Sequence, residues 1–204
     1  MIEDAERSGR LKPGGTIVEA TAGNTGIGLA LVAAAKGYRL IIVLPDKMSR
    51  EKVFHLKAMG AEVVMTRSDV GKGHPEYYQD KAAAIAAQTP GAIFINQFGN
   101  PANPRAPETS PAPEISEQLD RRVDAVVCGV GSAGTLTGLS RFFARVSPQT
   151  EIVLADPAGS ILADTVAGPK TRPRGSWQVE GIGAGLRPPI ADFSQVHHAY
   201  AIPD

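Results

Sequence analysis

A single cysteine, Cys128, stands in a chain of 204 residues. No disulfide can form within the chain, and with only His55, His74, His197 and His198 beside that cysteine a Cys/His metal cluster has too few members. Excess charge of either sign is missing as well, since 21 Lys and Arg offset 21 Asp and Glu. A balanced chain cannot supply the dense cationic field that drives counterion release, which argues against general nucleic-acid binding and against a polybasic membrane arm. Apolar runs such as Leu40 to Leu44 fall far short of a bilayer span, and Met1-Ile2-Glu3-Asp4-Ala5-Glu6 is acidic where a signal peptide is basic and then apolar. Internal repeats and low-complexity tracts are also lacking. The expectation is a soluble cytoplasmic protein with no metal, no nucleic acid and no membrane partner. At 43% hydrophobic residues it can bury the core of one large domain or two modest lobes.

From Thr16 to Ala155 short β-branched runs alternate with helical patterns, the rhythm of βαβ units. The predicted strands are Thr16 to Glu19, Leu40 to Leu44, Glu62 to Met65, Ile93 to Ile95, Ala125 to Cys128 and Ile152 to Ala155. Most are continuous apolar runs, which suits parallel strands covered on both faces. Helices are predicted at about Thr25 to Ala35, Ser49 to Met59, Pro75 to Gln88, Pro113 to Leu119 and Thr135 to Arg145. Lys36-Gly37 and Met59-Gly60 place a glycine just past two of these ends. The stretch Gly99 to Pro113 carries Pro101, Pro104, Pro107, Pro111 and Pro113 and reads as a crossing between lobes. After Asp156 the pattern thins into Gly/Pro-rich loops such as Gly168-Pro169, Arg172-Pro173-Arg174-Gly175 and Pro188-Pro189, with no further helix predicted.

Ligand chemistry is expected where strands give way to helices, because helix N-termini present unpaired amides and a positive dipole end to an anion. One such turn is Glu19-Ala20-Thr21-Ala22-Gly23-Asn24-Thr25-Gly26-Ile27-Gly28, where Thr21, Asn24 and Thr25 add side-chain hydrogen bonds. The other, Gly129-Val130-Gly131-Ser132-Ala133-Gly134-Thr135, matches G-x-G-x-x-G. A lone motif of this kind is explained equally by tight turning and close packing. Two of them, both lined with Thr, Ser or Asn, point to a phosphate-bearing ligand, since strand carboxyl ends gather on one edge of such a sheet. A nicotinamide dinucleotide is one candidate, because Asp156 closes the next strand about 25 residues after Gly131, near where a ribose-binding acid belongs. The late place of the motif and the elaborate turn around Asn24 speak against it.

Four ordered motifs carry a family resemblance: Thr21-Ala22-Gly23-Asn24-Thr25-Gly26; Asn96-Gln97-Phe98 followed by Asn100-Pro101-Ala102-Asn103-Pro104; Gly131-Ser132-Ala133-Gly134-Thr135; and Glu180-Gly181-Ile182-Gly183. In this order the sequence resembles the pyridoxal-phosphate β-replacement enzymes, cystathionine β-synthase and cysteine synthase, over essentially its whole length. Pro45-Asp46-Lys47-Met48-Ser49 and Glu180 look more like the cystathionine β-synthase branch. The resemblance implies an α/β fold of two lobes with open parallel sheets flanked by helices (pyridoxal-phosphate fold type II), incomplete here. Residues 1–99 would form the smaller lobe and 100–204 part of the larger. It implies that Asn24 bonds the phenolic oxygen of pyridoxal 5'-phosphate and that Gly131, Ser132, Ala133, Gly134 and Thr135 cradle its phosphate. Gly181 and Ile182 would line the ring and the mouth of the site. Thr21, Ala22, Gly23, Thr25 and Gln97, with Glu180 nearby, would surround the amino-acid substrate. The implied reaction is loss of the β-hydroxyl of serine and its replacement by a thiol such as homocysteine, as in transsulfuration. The alternative within the family is cysteine biosynthesis from O-acetylserine and sulfide, and a homodimer is implied for the full-length parent.

The departures matter as much. The family's Schiff-base lysine lies about thirty residues before the position of Asn24, which here falls before Met1, and none of Lys12, Lys36, Lys47, Lys52 or Lys57 sits in its motif. The partner of the pyridine nitrogen would fall beyond Asp204. The chain is therefore expected to be truncated at both ends, to lack a catalytic lysine and to be inactive by itself. Ala22 stands where relatives often have Ser, removing one hydroxyl. Ala133 stands where many have Gly, which is harmless provided the position needs no positive φ. The run Pro107-Glu108-Thr109-Ser110-Pro111 disturbs the family pattern and leaves its local backbone open. Outside the family, a nicotinamide-dependent oxidoreductase and a non-catalytic binding module stay as readings of other classes.

Other residues have plainer expectations. His197 and His198 lie in an alternating stretch, where neighbours point to opposite faces and cannot share a metal. Cys128 ends an apolar strand and is expected to be a buried small hydrophobe rather than a nucleophile. Ser49 reads as a helix N-cap. Lys72, His74, Tyr77 and Tyr78 fit a solvated loop and a helix start as well as they fit a cleft wall. Trp177 is expected to fill a packing site.

Overall fold

The computed structural model describes residues 1–21, 23–168 and 175–203. Ala22, Pro169 and Arg172 to Arg174 therefore lie outside the described residues. The chain divides into two compact units, Met1–Gln97 and Phe98–Asp204.

In the first unit, α1 (Ile2–Arg7), β1 (Thr16–Ala20), α2 (Asn24–Lys36), β2 (Arg39–Pro45), α3 (Arg50–Ala58), β3 (Glu62–Thr66), α4 (Tyr78–Gln88) and β4 (Ala92–Phe94) follow one another. The four strands form one parallel sheet in the order β3-β2-β1-β4. Every residue of β1 and all but the first of β2 are buried, because both faces are covered. Ile17, Leu40, Ile42 and Leu44 meet Ile2 of α1, Leu29 of α2 and Leu56 of α3 on one face. Val18, Ala20, Ile41 and Val43 meet Ala82 of α4 on the other. The continuous apolar runs thus divide residue by residue between two helical layers, as the two-residue period of a strand requires. Gly37 closes α2 in the left-handed conformation, and Ser49 caps α3 by accepting from the Lys52 N–H at 3.4 Å.

The second unit runs through α5 (Ala102–Thr109), α6 (Pro111–Gln118), β5 (Ala125–Gly129), α7 (Gly134–Val146), β6 (Glu151–Pro157), α8 (Leu162–Ala167) and β7 (His198–Ile202). Its sheet is parallel, in the order β5-β6-β7. Ile152 and Leu154 of β6 pack with Leu136, Leu139 and Phe143 of α7 and Leu162 of α8. Among the described residues no helix is long and apolar enough to cross a membrane.

Several elements depart from the sequence-based expectation. The proline-rich stretch is not an open crossing: it holds α5, which the pattern does not announce, and the first residues of α6, whose remainder matches the helix expected at Pro113 to Leu119. Pro104, Pro111 and Pro113 fall in first turns, where a missing N–H costs nothing, and only Pro107 lies inside a helix. Asn100 starts α5 by accepting from the Ala102 N–H at 3.0 Å. Helix α8 was not expected after Asp156; its six residues are too few to show a period, and it begins where the Asp156 carboxylate accepts from the Ala163 N–H at 2.9 Å. Strand β7 carries the alternation noticed around His197 and His198, and it pairs Val153 with His198 and Ala155 with Tyr200.

Candidate functional site

The first turn joins β1 to α2. Thr21 is buried, and its hydroxyl accepts from the Gly23 N–H at 3.2 Å. Thr25 donates its hydroxyl proton to Gln97 Oε1 at 2.7 Å, and Gln97 Nε2 donates back to the Ala20 carbonyl at 3.4 Å. One hydrogen bond thus ties Thr21 to Gly23 and a second set ties Thr25 and Gln97 to Ala20, while Asn24 stands exposed in the first turn of α2. Gln97 reaches this position because Asn96 before it takes a positive φ of 53°, a conformation asparagine tolerates better than most residues.

Beneath these bonds lies a residue to which the sequence reading gave no role. Glu19 is fully buried; Oε1 accepts from the Ala20 N–H at 2.7 Å and Oε2 from the Gln97 N–H at 3.1 Å. Burial pushes its carboxyl up to about 7, against the pull of those two N–H groups. The available signal was an acid inside the apolar strand Ile17-Val18-Glu19-Ala20.

The second turn joins β5 to α7, the strand-turn-helix setting that a G-x-G-x-x-G motif needs in order to mean anything. The first-turn amides of a helix have no partner inside it, and among the described residues nothing accepts from the amides of Ser132, Ala133, Gly134 or Thr135. No acid stands in that turn, Arg145 lies in the last, and the Thr135 side chain is exposed. A dianionic phosphate fits this donor set, so the residues present suit the phosphate of pyridoxal phosphate.

The Glu180-Gly181-Ile182-Gly183 segment closes on the same turn. The Gly183 N–H donates to the Val130 carbonyl at 2.8 Å. A Cβ on Gly131 would sit 2.3 Å from the Gly181 carbonyl oxygen, and one on Gly129 would meet Ile182 at 2.8 Å. The third and the last motif therefore form one structure, with Gly181 and Glu180 exposed at its surface.

Ala133 does take a positive φ, so the condition for its being harmless fails: it stands at φ 72° and ψ 0°. The left-handed region costs an L-residue about 1–2 kcal/mol, against about 0.8 kcal/mol for one buried methyl. Ala133→Gly is therefore expected to raise stability by roughly 0.5–1 kcal/mol, read as an upward shift of the denaturant midpoint. A fall would show that the methyl's packing outweighs the strain.

The remaining candidates separate cleanly. Asp156 is fully buried and turned onto α8, with its carboxyl held above the usual range by burial, so it presents nothing to a ribose and the dinucleotide reading loses its acid. Cys128 is half-buried with its thiol pushed up by burial. His197 Nδ1 accepts from the Ile152 N–H at 3.0 Å while His198 lies 3.7 Å from Glu151, and the described residues hold no group of three or more metal-ligating side chains. Tyr77 and Tyr78 stack edge-on at the start of α4, and Trp177 packs against Gly183.

A family model described as pyridoxal-phosphate dependent enzyme matches residues 1–203. Cystathionine beta-synthase of Rattus norvegicus is 46% identical over 196 residues, covering 96% of this chain and 35% of its own length. Cysteine synthase A of Escherichia coli (strain K12) is 42% identical over 205 residues, covering 99% of this chain and 62% of its own length. The chain thus spans between about a third and just under two thirds of these relatives. A crystal structure of a hydrogen sulfide-producing enzyme from Fusobacterium nucleatum superposes with a TM-score of 0.90 at 32% identity, over 100% of this chain and 66% of that one. Two parallel sheets flanked by helices are the fold type II arrangement, and the chain belongs to the pyridoxal-phosphate dependent enzyme family.

Proposed function

We propose that this chain is the cofactor-cradling and substrate-gripping part of a serine β-replacement enzyme of the cystathionine β-synthase kind, with a thiol such as homocysteine as second substrate. The observation that carries the reading is the turn Gly131 to Thr135, whose amides at the start of α7 have no acceptor among the described residues and which adds the hydroxyls of Ser132 and Thr135. These groups hold the phosphate of pyridoxal phosphate, and Gly181 and Ile182 lie against the same turn, ready to border the ring. In the first unit Asn24 offers its amide to the ring's phenolic oxygen, and Thr21, Gly23, Thr25 and Gln97 receive the substrate carboxylate, with Ala22 contributing backbone alone. Glu180 stands at the rim. When bound, the cofactor supplies an electron sink for charge developing at the substrate's α-carbon.

None of the lysines near the first turn lies in the family's lysine motif, so the isolated chain binds the cofactor without turning substrate over. Titration with pyridoxal phosphate, followed by borohydride reduction and peptide mass mapping, tests this. The expected result is saturable, phosphate-dependent binding, no specifically labelled lysine, and no product from serine and homocysteine. A uniquely labelled lysine together with turnover would overturn the inactivity, and equal affinity for pyridoxal and its phosphate would overturn the reading of the loop.

The 42% identity to cysteine synthase A over nearly the whole chain favours a second reading, O-acetylserine with sulfide. Comparing the affinities of serine and O-acetylserine for the cofactor-loaded chain separates the two.

A further inference from the structure

We infer that Asn103 is a positioning residue for the anion-binding turn: its side-chain amide occupies one lone pair of Ser132 Oγ and so turns the serine hydroxyl proton outward, as a donor to phosphate. The inference rests on the reading of Gly131 to Thr135 as a phosphate cradle, and it names a residue outside that loop as the source of the cradle's polarity.

Asn103 Nδ2 lies 3.0 Å from Ser132 Oγ. A serine hydroxyl has one proton to give and two lone pairs with which to accept. Once the Asn103 N–H fills one lone pair, the proton points elsewhere, and no described residue accepts it. An anion in front of the turn can take that proton alongside the amides of Ser132 to Thr135. Were the serine instead to donate inward, it would show a lone pair to the phosphate, and the contact would change from attraction to repulsion.

Asn103 is held firmly enough to impose this choice. Its backbone N–H donates to the Asn100 carbonyl at 2.9 Å at the start of α5. Its amide lies against the first residue of α7, so close that a Cβ on Gly134 would overlap Oδ1 and fall 2.8 Å from Nδ2. One turn further along, a Cβ on Gly138 would stand 2.3 Å from the Pro104 carbonyl oxygen, which shows how closely the two helices approach. Glycine at 134 and at 138 therefore lets α5 bring an amide to the rim of the turn, and side chains on packed helices hold such geometry better than side chains on loops.

The test compares equilibrium affinities for pyridoxal phosphate and for pyridoxal, whose ratio isolates the phosphate contacts. In the unaltered chain the phosphorylated form is expected to bind much more tightly. Asn103→Ala should lower that preference about tenfold and the nearly isosteric Asn103→Asp about a hundredfold, the range for a hydrogen bond to a charged group. The aspartate accepts the serine proton and adds a negative charge. In a Ser132→Ala background, Asn103→Ala should change the ratio less than twofold, because the residue acts through the serine. Circular dichroism identifies a variant that fails to fold, and Asn103→Asp then decides alone. Equal weakening of both vitamers by the Asn103 variants, or the full effect persisting without the Ser132 hydroxyl, would overturn the inference while leaving the cradle in place. An unaltered chain with no preference between the vitamers would overturn the cradle itself.

Discussion

Replacing Gly131 by alanine is expected to abolish measurable pyridoxal phosphate binding and to lower stability by roughly 2–3 kcal/mol, the upper range for overpacking a filled site. The added Cβ would stand 2.3 Å from the Gly181 carbonyl oxygen, a backbone atom that no rotamer change can move. Relief requires shifting the segment that carries Gly183, whose N–H is bonded to the Val130 carbonyl at 2.8 Å. The turn that presents the amides therefore moves with it. Gly28→Ala in α2 is the useful contrast. Nothing lies within 4 Å of its Cβ position, so there the ordinary helix preference for alanine over glycine applies, with a gain of about 0.5–1 kcal/mol. Denaturant midpoints and cofactor titrations of the two variants read both signs. A Gly131→Ala chain that keeps its midpoint and its affinity would mean that the 181–183 segment does not press on the turn.

What the sequence makes legible follows from the range of the interactions involved. Strands β1 and β2 are legible because short, β-branched apolar runs, with Ile17 and Val18 or Ile42 and Val43 on consecutive positions, suit a strand covered on both faces. The G-x-G-x-x-G turn is legible because its chemistry is local: strand, small residues, helix start. The short helices α5 and α8 and the first residues of α6 were hidden by proline and by brevity, since a proline reads as a breaker unless its place in the first turn is known. Ala133 is a different case. Its need for a positive φ is set by the angle at which β5 hands over to α7, which no neighbouring residue announces. The closure of Gly181 on Gly131 joins residues 50 positions apart and was approached only through the family resemblance, never through periodicity or spacing. Glu19 was visible as an oddity, an acid among Ile17, Val18 and Ala20, but its meaning depends on the Gln97 N–H arriving from the far end of β4.

That buried acid yields the second large expectation, a stability that falls as the pH rises. Glu19 has a carboxyl pushed from 4.5 to about 7 by its removal from water. Between those values the folded chain holds a proton that the unfolded chain has released, so the folded state is favoured below pH 4.5 and loses that advantage as the pH climbs through 7. At 1.36 kcal/mol per unit the total is about 3 kcal/mol. The ionisable group facing Glu19 from α4 is the Tyr78 phenol, itself raised by burial, and among the described residues no cation offsets the charge. Glu19→Gln should remove this slope. At pH 5 the protonated acid, like the amide, offers one carbonyl oxygen to the two N–H donors, so the two chains should be close in stability there, and the wild type should fall behind the variant as the pH rises to 8. Urea unfolding of both chains at intervals between those limits gives the two slopes, and parallel slopes would sink the assignment. The charge has a use that explains tolerating its cost. Only the ionised form holds both the Ala20 and the Gln97 N–H, and Gln97 in turn fixes the Thr25 hydroxyl. The grip on a substrate carboxylate should therefore be best ordered above pH 7, where the fold itself is weakest, and binding of serine to the cofactor-loaded chain should sharpen with pH in the wild type but stay flat in Glu19→Gln.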